Sequence, residues 1–212
     1  MFVSEVFVQN YRNYIKEKVS FENKTNFLVG KNAQGKTNLM EAIYLCSVGR
    51  SARTPRDREL INFDSDRAYV KVFVKKRFSA DRVEMTLDKS ANKRVAVNGL
   101  PITRIGELMG VVTTVFFSPD EMKIVKDGPS DRRRFMDISL CQMSKAYFYL
   151  LSSYNKTLSQ RNKLLKNGAT DDVLDVWDMQ LVGLGSKIIK TRRGFVQRLG
   201  AVSYTHLRAH ET

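Results

Sequence analysis

A glycine-rich segment close to the N-terminus constrains the fold of this chain more than any other feature. Residues 30–37 read Gly-Lys-Asn-Ala-Gln-Gly-Lys-Thr and match the pattern G-x-x-x-x-G-K-[ST]. An apolar run precedes them at 27–29, and apolar residues recur at helical spacing from 39 to 45. We therefore predict a buried strand over 26–30, a glycine turn and a helix over 36–48. This order is typical of a phosphate-binding loop in an α/β protein.

The chemistry of the individual residues in this loop supports a nucleotide site. Gly30 and Gly35 lack a Cβ, so the backbone can bend around phosphate groups. Backbone N–H groups at a helix start attract anions, and Lys36 supplies a positive charge for the β- and γ-phosphates. The hydroxyl of Thr37 is a ligand that Mg²⁺ accepts. The predicted site for ATP comprises Gly30, Lys31, Asn32, Ala33, Gln34, Gly35, Lys36 and Thr37, with Thr37 as the Mg²⁺ ligand.

The charge of the chain favours a polyanionic partner. Lys and Arg number 36 against 22 Asp and Glu, which gives a net charge of +14. Nucleic acid is the first candidate and an anionic membrane surface the second, with a basic surface kept for solubility as the remaining alternative. No apolar stretch approaches the roughly 20 residues of a membrane span. No signal peptide is recognisable, and Cys46 and Cys141 are isolated, so we expect a cytoplasmic protein without a membrane partner.

The pattern of apolar residues divides the chain into two parts. In the first part we predict strands over 2–9, 14–21, 69–78, 83–87 and 93–97, with a tight turn at Asn98-Gly99 and a buried strand over 111–117. In the second part, a helix is predicted to begin at Ser118-Pro119-Asp120-Glu121. Two long helices follow, over 130–166 and 171–193, and their short connection predicts an antiparallel hairpin. We accordingly assign a head to 1–128 and a helical arm to 129–200, and we expect 201–212 to be a non-native tail because it abandons the apolar spacing.

Two segments of the sequence resemble a known family. The first is QNYRNY at 9–14 together with GKNAQGKTNLMEAIYLCSVGRSARTPRDRELINF at 30–63, and the second is FSPDEMKIVKDGPSDRRRFMDISLCQ at 117–142. Over about residues 1–200 the chain resembles the RecF family of bacterial DNA replication and repair proteins. The resemblance departs locally at Ala52, where the family usually has a His. The RecF head is similar to the heads of SMC-type ABC ATPases, so the resemblance implies a P-loop NTPase head of the ABC/SMC type with an antiparallel helical-hairpin arm.

The resemblance also implies a function. RecF-like proteins are ATP-dependent DNA-binding proteins of repair and replication, and they act at single-stranded gaps in duplex DNA. The implied partners are single-stranded and gapped duplex DNA, RecO, RecR and RecA, whose loading feeds the SOS response. An ATP-dependent homodimer is implied for the whole protein, and Arg12 is implied to lie near the nucleotide phosphates. The alternatives are an SMC-like structural DNA clamp and a P-loop kinase or small-molecule ATPase, and the net charge speaks against the last of these.

Hydrolysis of ATP is left open at this stage. ABC-type heads also need a signature loop, a Walker B strand that ends in acids, and a switch His, and nothing after residue 170 matches these elements. We therefore expect the chain to correspond to the N-terminal part of a RecF, and its catalytic residues stay unknown.

Two basic clusters are candidates for contacts with DNA phosphates. They are Lys75, Lys76 and Arg77 at a strand end, and Arg132, Arg133 and Arg134 near a helix start. The alternatives are an edge strand protected by lysines for the first cluster and a solvated helix face for the second.

Overall fold

The computed structural model describes residues 1–118, 124 and 128–210, and it describes the side chains of these residues except those of 205–210. The chain forms two compact units, Met1–Pro119 and Asp120–Thr212. The helix predicted to begin at Ser118-Pro119-Asp120-Glu121 falls largely outside the described residues.

A sheet of antiparallel strands dominates the first unit. Its strands are β1 (Phe2–Tyr11), β2 (Tyr14–Ser20), β3 (Arg67–Lys75), β4 (Ala80–Asp88), β5 (Arg94–Val97) and β6 (Leu100–Ile102). All six strands belong to one sheet in the order β2-β1-β3-β4-β5-β6. The structure confirms the strands predicted over 2–9, 14–21, 69–78, 83–87 and 93–97, although most of the observed strands begin or end at different residues. Asn98 and Gly99 have φ angles of 54° and 84°, which fit the tight turn predicted between β5 and β6.

One face of this sheet forms the core of the first unit. Alternate residues of the central strands, such as Val6, Val8 and Val72, are completely buried. The predicted helix is confirmed as α1 (Lys36–Val48), which contacts β1, β3 and β4 and buries Leu45. Two short 3-10 helices, Asp57–Leu60 and Ile105–Glu107, complete the described elements of this unit.

The buried strand predicted over 26–30 is wrong. This segment adopts no strand conformation, and Phe27 and Val29 are 82% and 91% exposed. A β-strand needs a hydrogen-bonded neighbour, and no strand in the described part of the chain pairs with these residues. The apolar run therefore leads into the phosphate loop as an irregular, exposed segment.

The buried strand predicted over 111–117 is also wrong. The segment is irregular, and Val115 is 93% exposed. Its alternate residues nevertheless pack on α1, because the hydroxyl of Thr114 lies 2.6 Å from that of Ser47 and the rings of Phe116 and Tyr44 lie 5.4 Å apart. The apolar pattern thus identified a packed segment, but the segment packs on a helix and joins no sheet.

The second unit contains three long helices within the described residues. They are α2 (Pro129–Met143), α3 (Lys145–Lys166) and α4 (Asp171–His210). The helices α3 and α4 are joined by a short turn and contact each other, as the predicted hairpin requires. Arg161 binds Asp178 across them through two hydrogen bonds of 2.5 and 2.9 Å, and this bond lowers the pKa of the Asp178 carboxyl.

The two long helices differ in length from their predictions. The single helix predicted over 130–166 breaks at Ser144, whose backbone is extended (φ −148°, ψ 111°) and whose Oγ accepts a hydrogen bond from the Tyr147 N–H. A serine in this position is a strong N-cap, which favours a new helix over continuation of the old one. The helix α4 spans 40 residues and continues past the predicted end at 193 through residue 210.

None of the helices in the described ranges combines the length and the apolar character that a membrane crossing requires.

Candidate nucleotide-binding site

The phosphate loop lies where the irregular segment 26–35 meets α1. Its backbone turns through Ala33, which has a φ of 64°, and Gly35, which has a φ of 99°. The first hydrogen bond of α1 runs from the Leu39 N–H to the Gly35 carbonyl, 3.0 Å away. The N–H groups of residues 36–38 therefore have no acceptor within the helix, and they lie at its positive end. This arrangement favours a bound anion.

Gly35 is required by its surroundings as well as by its backbone. A Cβ at this position would lie 2.8 Å from Oδ1 of Asn13 and 2.9 Å from Cζ of Tyr14. Tyr14 also donates a hydrogen bond of 3.1 Å from its hydroxyl to the Gly35 carbonyl. The turn between β1 and β2 thus braces the base of the phosphate loop.

Lys36 folds back over the loop that precedes it. Its Nζ donates hydrogen bonds of 2.6 Å to the carbonyls of both Gly30 and Lys31. The ammonium group therefore lies at the mouth of the loop, beside the helix start. Thr37 is exposed on the next position of α1, so its hydroxyl is accessible.

A buried carboxylate lies one and a half turns further along α1. Glu41 is completely buried and accepts two hydrogen bonds from Arg12, of 3.1 Å from Nε and 3.0 Å from Nη2. Its Oε1 accepts a hydrogen bond from the Ser51 hydroxyl, and Arg53 lies 3.7 Å from its Oε2. Paired and hydrogen-bonded on both oxygens, Glu41 satisfies the conditions under which a charge is buried.

Arg12 and Arg53 are held in place by further bonds. The Nη1 of Arg12 donates to the Glu59 carbonyl at 3.0 Å, and the Nη1 of Arg53 donates to Oδ1 of Asn38 at 3.0 Å. Asn38 in turn donates to Oδ1 of Asn13 at 2.8 Å. These bonds connect the β1–β2 turn, α1 and the loop at 51–53.

The hydroxyl of Tyr11 is the one buried side-chain polar atom near this network that lacks a hydrogen-bond partner in the described residues. Tyr11 is completely buried, and its pKa is raised, first by burial and then by the nearby Glu41 carboxylate. The phenol is therefore neutral at all moderate pH values.

The predicted nucleotide residues fall into two groups. Residues 30–35 form one continuous loop, and residues 36 and 37 begin α1 directly after it. Their role in binding a nucleotide stays a prediction. Arg12 lies in the β1–β2 turn beside the start of α1, with its guanidinium bound to Glu41. Its implied role at the phosphates stays a prediction.

The first basic cluster lies at the β3–β4 hairpin. Lys75 ends β3, while Lys76 forms an ion pair of 2.6 Å with Asp81 and Arg77 lies 5.0 Å from the ring centroid of Phe78. The bonds from Asn98 and then Lys76 lower the pKa of the Asp81 carboxyl.

The second basic cluster lies in the second unit. Arg132, Arg133 and Arg134 occupy the first turns of α2, and their side chains are exposed. The structure does not bring the two basic clusters into one unit, and their roles at DNA stay predictions.

Several residues of the site were missed by the sequence-based prediction. Glu41, Ser51 and Asn38 form the bonds that hold the two arginines. The sequence did contain one signal, because Glu41 is a charged residue within the apolar pattern of α1. An acid at a buried helix position requires a cationic partner.

Similarity to known proteins assigns the chain to a class. A family model described as an AAA ATPase domain matches residues 1–172. The chain therefore belongs to the AAA ATPase domain family. A structure of an SMC ATPase at 19% identity has a TM-score of 0.54 and covers 65% of this chain and 99% of that chain, which shows a common fold.

Within that class, the resemblance to RecF is confirmed. The chain is 45% identical over 206 residues to the DNA replication and repair protein RecF of Agathobacter rectalis, which covers 95% of this chain and 57% of that protein. It is 45% identical over 204 residues to the RecF of Alkaliphilus oremlandii, which covers 96% of this chain and 56% of that protein. The chain thus spans little more than half the length of these relatives.

A solved structure agrees with the sequence relatives. The recombination mediator protein RecF-ATP of the RecFOR pathway superimposes with a TM-score of 0.88 at 40% identity, and the match covers 93% of this chain and 54% of that chain. The fold is therefore the predicted one, a P-loop head of the RecF and SMC type with a helical-hairpin arm.

Proposed function

We propose that this chain carries the nucleotide-binding loop of an ATP-dependent DNA-binding protein of DNA replication and repair. The observation that supports the proposal most strongly is the complete phosphate loop, with Lys36 held over its mouth, in a chain similar to RecF. The relative described as RecF-ATP makes ATP the first nucleotide to test.

The residues of the loop fit a triphosphate. The Gly35 position admits no side chain, and the backbone N–H groups beside it lie at the positive end of α1. Lys36 exchanges its two carbonyl acceptors for phosphate oxygens, and the negative charge of these oxygens makes the new bonds to the ammonium group stronger than those it gives up.

Mg²⁺ also fits this loop. Thr37 supplies a hydroxyl beside the helix start, and Mg²⁺ typically takes one or two protein ligands together with phosphate oxygens and water. When bound, the metal neutralises phosphate charge.

DNA is the polyanion that we propose for the basic surface. The net charge of +14 favours contacts with phosphates, which do not depend on base sequence. Gapped duplex, an ATP-dependent homodimer and the partners RecO, RecR and RecA belong to this proposal through the similarity to RecF.

The test is a titration of fluorescent gapped duplex of two unrelated sequences at 50 and 200 mM salt, with and without Mg·ATP. Phosphate contacts release counterions, so the affinity should fall by about a hundredfold over this range for both sequences. The ATP proposal predicts tighter binding with Mg·ATP in the wild type and no effect of Mg·ATP in Lys36→Ala. A flat salt response, or a strong preference for one sequence, would contradict the DNA proposal.

A further inference from the structure

The second face of the sheet presents aromatic side chains from its central strands. The register places Phe7 opposite Lys71, Glu5 opposite Phe73, and Gln9 opposite Tyr69. Because Val6, Val8 and Val72 point into the core, these residues point to the opposite face. Phe7, Tyr69, Lys71 and Phe73 are all half-buried, so the described residues do not cover this face. We call these four residues the aromatic platform.

The side chains of the aromatic platform contact one another. The rings of Phe7 and Tyr69 meet edge to face, with centroids 6.0 Å apart. The Nζ of Lys71 lies 5.7 Å from the ring centroid of Tyr69 and 5.6 Å from that of Phe73. A lysine held over two rings keeps a positive charge at the surface of an apolar cluster.

The orientation of the Tyr69 ring is fixed by a neighbouring strand. Its hydroxyl donates a hydrogen bond to the Glu84 carboxylate on β4. Burial, followed by this bond, raises the pKa of Tyr69 above its ordinary value, so the phenol is neutral at moderate pH. The ring is therefore positioned in advance of any binding event.

Cations surround the aromatic platform on the same face. Lys18 lies opposite Phe7, Arg82 opposite Phe73 and Arg94 opposite Thr86. Lys16 lies opposite Gln9 at the outer strand.

Only some of these cations are neutralised. Glu5 and Glu84 are ion-paired with Lys18 and Arg82 at 2.8 and 2.5 Å, respectively. In the described part of the chain Lys16, Lys71 and Arg94 form no ion pair, which leaves positive charge at the centre and on both sides of the platform.

We propose that the aromatic platform stacks the unpaired bases of single-stranded DNA while Lys16, Lys71 and Arg94 contact its phosphates. The inference rests on the proposed DNA-binding function and assigns the surface that distinguishes a single strand from a duplex. Bases stack on aromatic rings without regard to sequence, and aromatic residues on the open face of a sheet are a known means of holding single strands. In a duplex the faces of the bases are already stacked, so only the cations of this surface could contribute.

The charge and the rings together select this ligand over other anions. An acidic protein segment would use the cations but would leave the three rings exposed. A single strand uses both, because its phosphates and its bases alternate along the chain.

The test compares three fluorescent probes on the full chain at one salt concentration. They are a single strand of about 12 nucleotides, within the usual size of single-strand sites, an abasic strand of the same length, and a hairpin duplex of equal charge. We expect the normal single strand to bind at least roughly fivefold more tightly than the abasic strand, which has the phosphates without the bases. This comparison uses the wild type and needs no folded variant.

Variants then locate the effect. Phe7→Leu and Phe73→Leu keep apolar bulk but remove a ring, and each should weaken single-strand binding by roughly fivefold or more while leaving the affinity for the abasic strand unchanged. Phe63→Leu is the matched control, because Phe63 is an aromatic residue that is 96% exposed and lies outside the sheet.

The outcomes separate the two proposals. Equal affinity for the normal and abasic strands, or wild-type affinity in both leucine variants, overturns the aromatic platform and leaves salt-dependent DNA binding intact. Preference for the duplex also overturns it. If the wild type binds none of the three probes, the platform and the proposed DNA-binding function both fail.

Discussion

Arg12 and Glu41 form a two-pronged ion pair between the β1–β2 turn and the helix that carries the phosphate loop. The two hydrogen bonds measure 3.1 and 3.0 Å, and the carboxylate is completely buried while the Arg12 side chain is 21% exposed. Removal of the arginine would leave a buried charge, whereas removal of the acid would leave a guanidinium that water can reach. The pair should therefore respond unequally to mutation of its two members.

Arg12→Met is predicted to lower the free energy of unfolding by about 3 kcal/mol, the lower end of the range for breaking a buried pair. The lower end applies because Arg53 remains 3.7 Å from Glu41. Glu41→Gln should cost roughly half as much, since the amide oxygen can still accept a bond from Ser51. Urea unfolding followed by circular dichroism measures both values.

The matched control for this comparison is Arg56→Met. Arg56 also faces an acid, Glu59 at 3.5 Å, but both side chains are well exposed, so the loss should stay below about 1 kcal/mol. Equal losses of unfolding free energy in Arg12→Met and Arg56→Met would show that burial does not make the Arg12–Glu41 pair more stabilising than an exposed pair.

The two glycines of the phosphate loop should differ in their tolerance of a side chain. At Gly35 an alanine Cβ would crowd Asn13 and Tyr14 at 2.8–2.9 Å, and its φ of 99° is strained for any L-residue. Gly35→Ala should therefore destabilise the protein by about 2 kcal/mol. At Gly30 nothing lies within 4 Å of the added Cβ, so only the backbone strain of its φ of 158° counts, and Gly30→Ala should cost about 1 kcal/mol. Thermal unfolding of the two variants tests the order, and a larger loss at Gly30 would contradict it.

The phosphate loop and α1 were predictable from sequence because a short motif specifies them locally. The pattern at 30–37 and the apolar spacing from 39 to 45 are properties of neighbouring residues, and α1 begins and ends where they place it. The alternation of apolar and polar residues along β3 and β4 likewise indicates directly that one face of each strand is buried.

The failed predictions concern what a segment packs against. An apolar run shows that a segment favours burial, but it does not identify the partner, so 26–30 and 111–117 were both assigned to a sheet that they do not join. Ser144 could have been recognised as a cap, since serine is a preferred N-cap residue, but apolar spacing on both sides of it favoured one helix. The bonds between Arg12 and Glu41 join residues 29 positions apart, which no local pattern encodes.

The thiol of Cys46 should be protected in the native protein at all moderate pH values. Cys46 is completely buried in α1, and burial raises the pKa of its thiol. The thiolate is the reactive form, so the native thiol should resist alkylation where the unfolded chain, with a pKa of about 8.5, reacts readily. Because the native pKa is raised, the stability that this group contributes is complete below about pH 8.5 and falls as the pH rises above it.

Alkylation of Cys141→Ser, which leaves Cys46 as the single cysteine, measures this protection in buffer and in urea from pH 7 to 10. We expect slow labelling in buffer and rapid labelling in urea, with the difference maintained as the pH rises. A native rate equal to the unfolded rate at each pH would show that Cys46 is not buried in solution.

Residues 30–37 should bind Mg·ATP through Lys36, and isothermal titration calorimetry of the full chain tests this binding most directly. Lys24→Ala is the matched control, because it removes the same charge from an exposed position outside the loop. Lys36→Ala should bind Mg·ATP roughly ten- to a hundredfold more weakly than the wild type, since a hydrogen bond to a charged group is worth about 1.5–3 kcal/mol. Lys24→Ala should match the wild type. Equal affinity of the wild type and Lys36→Ala for Mg·ATP would contradict the account.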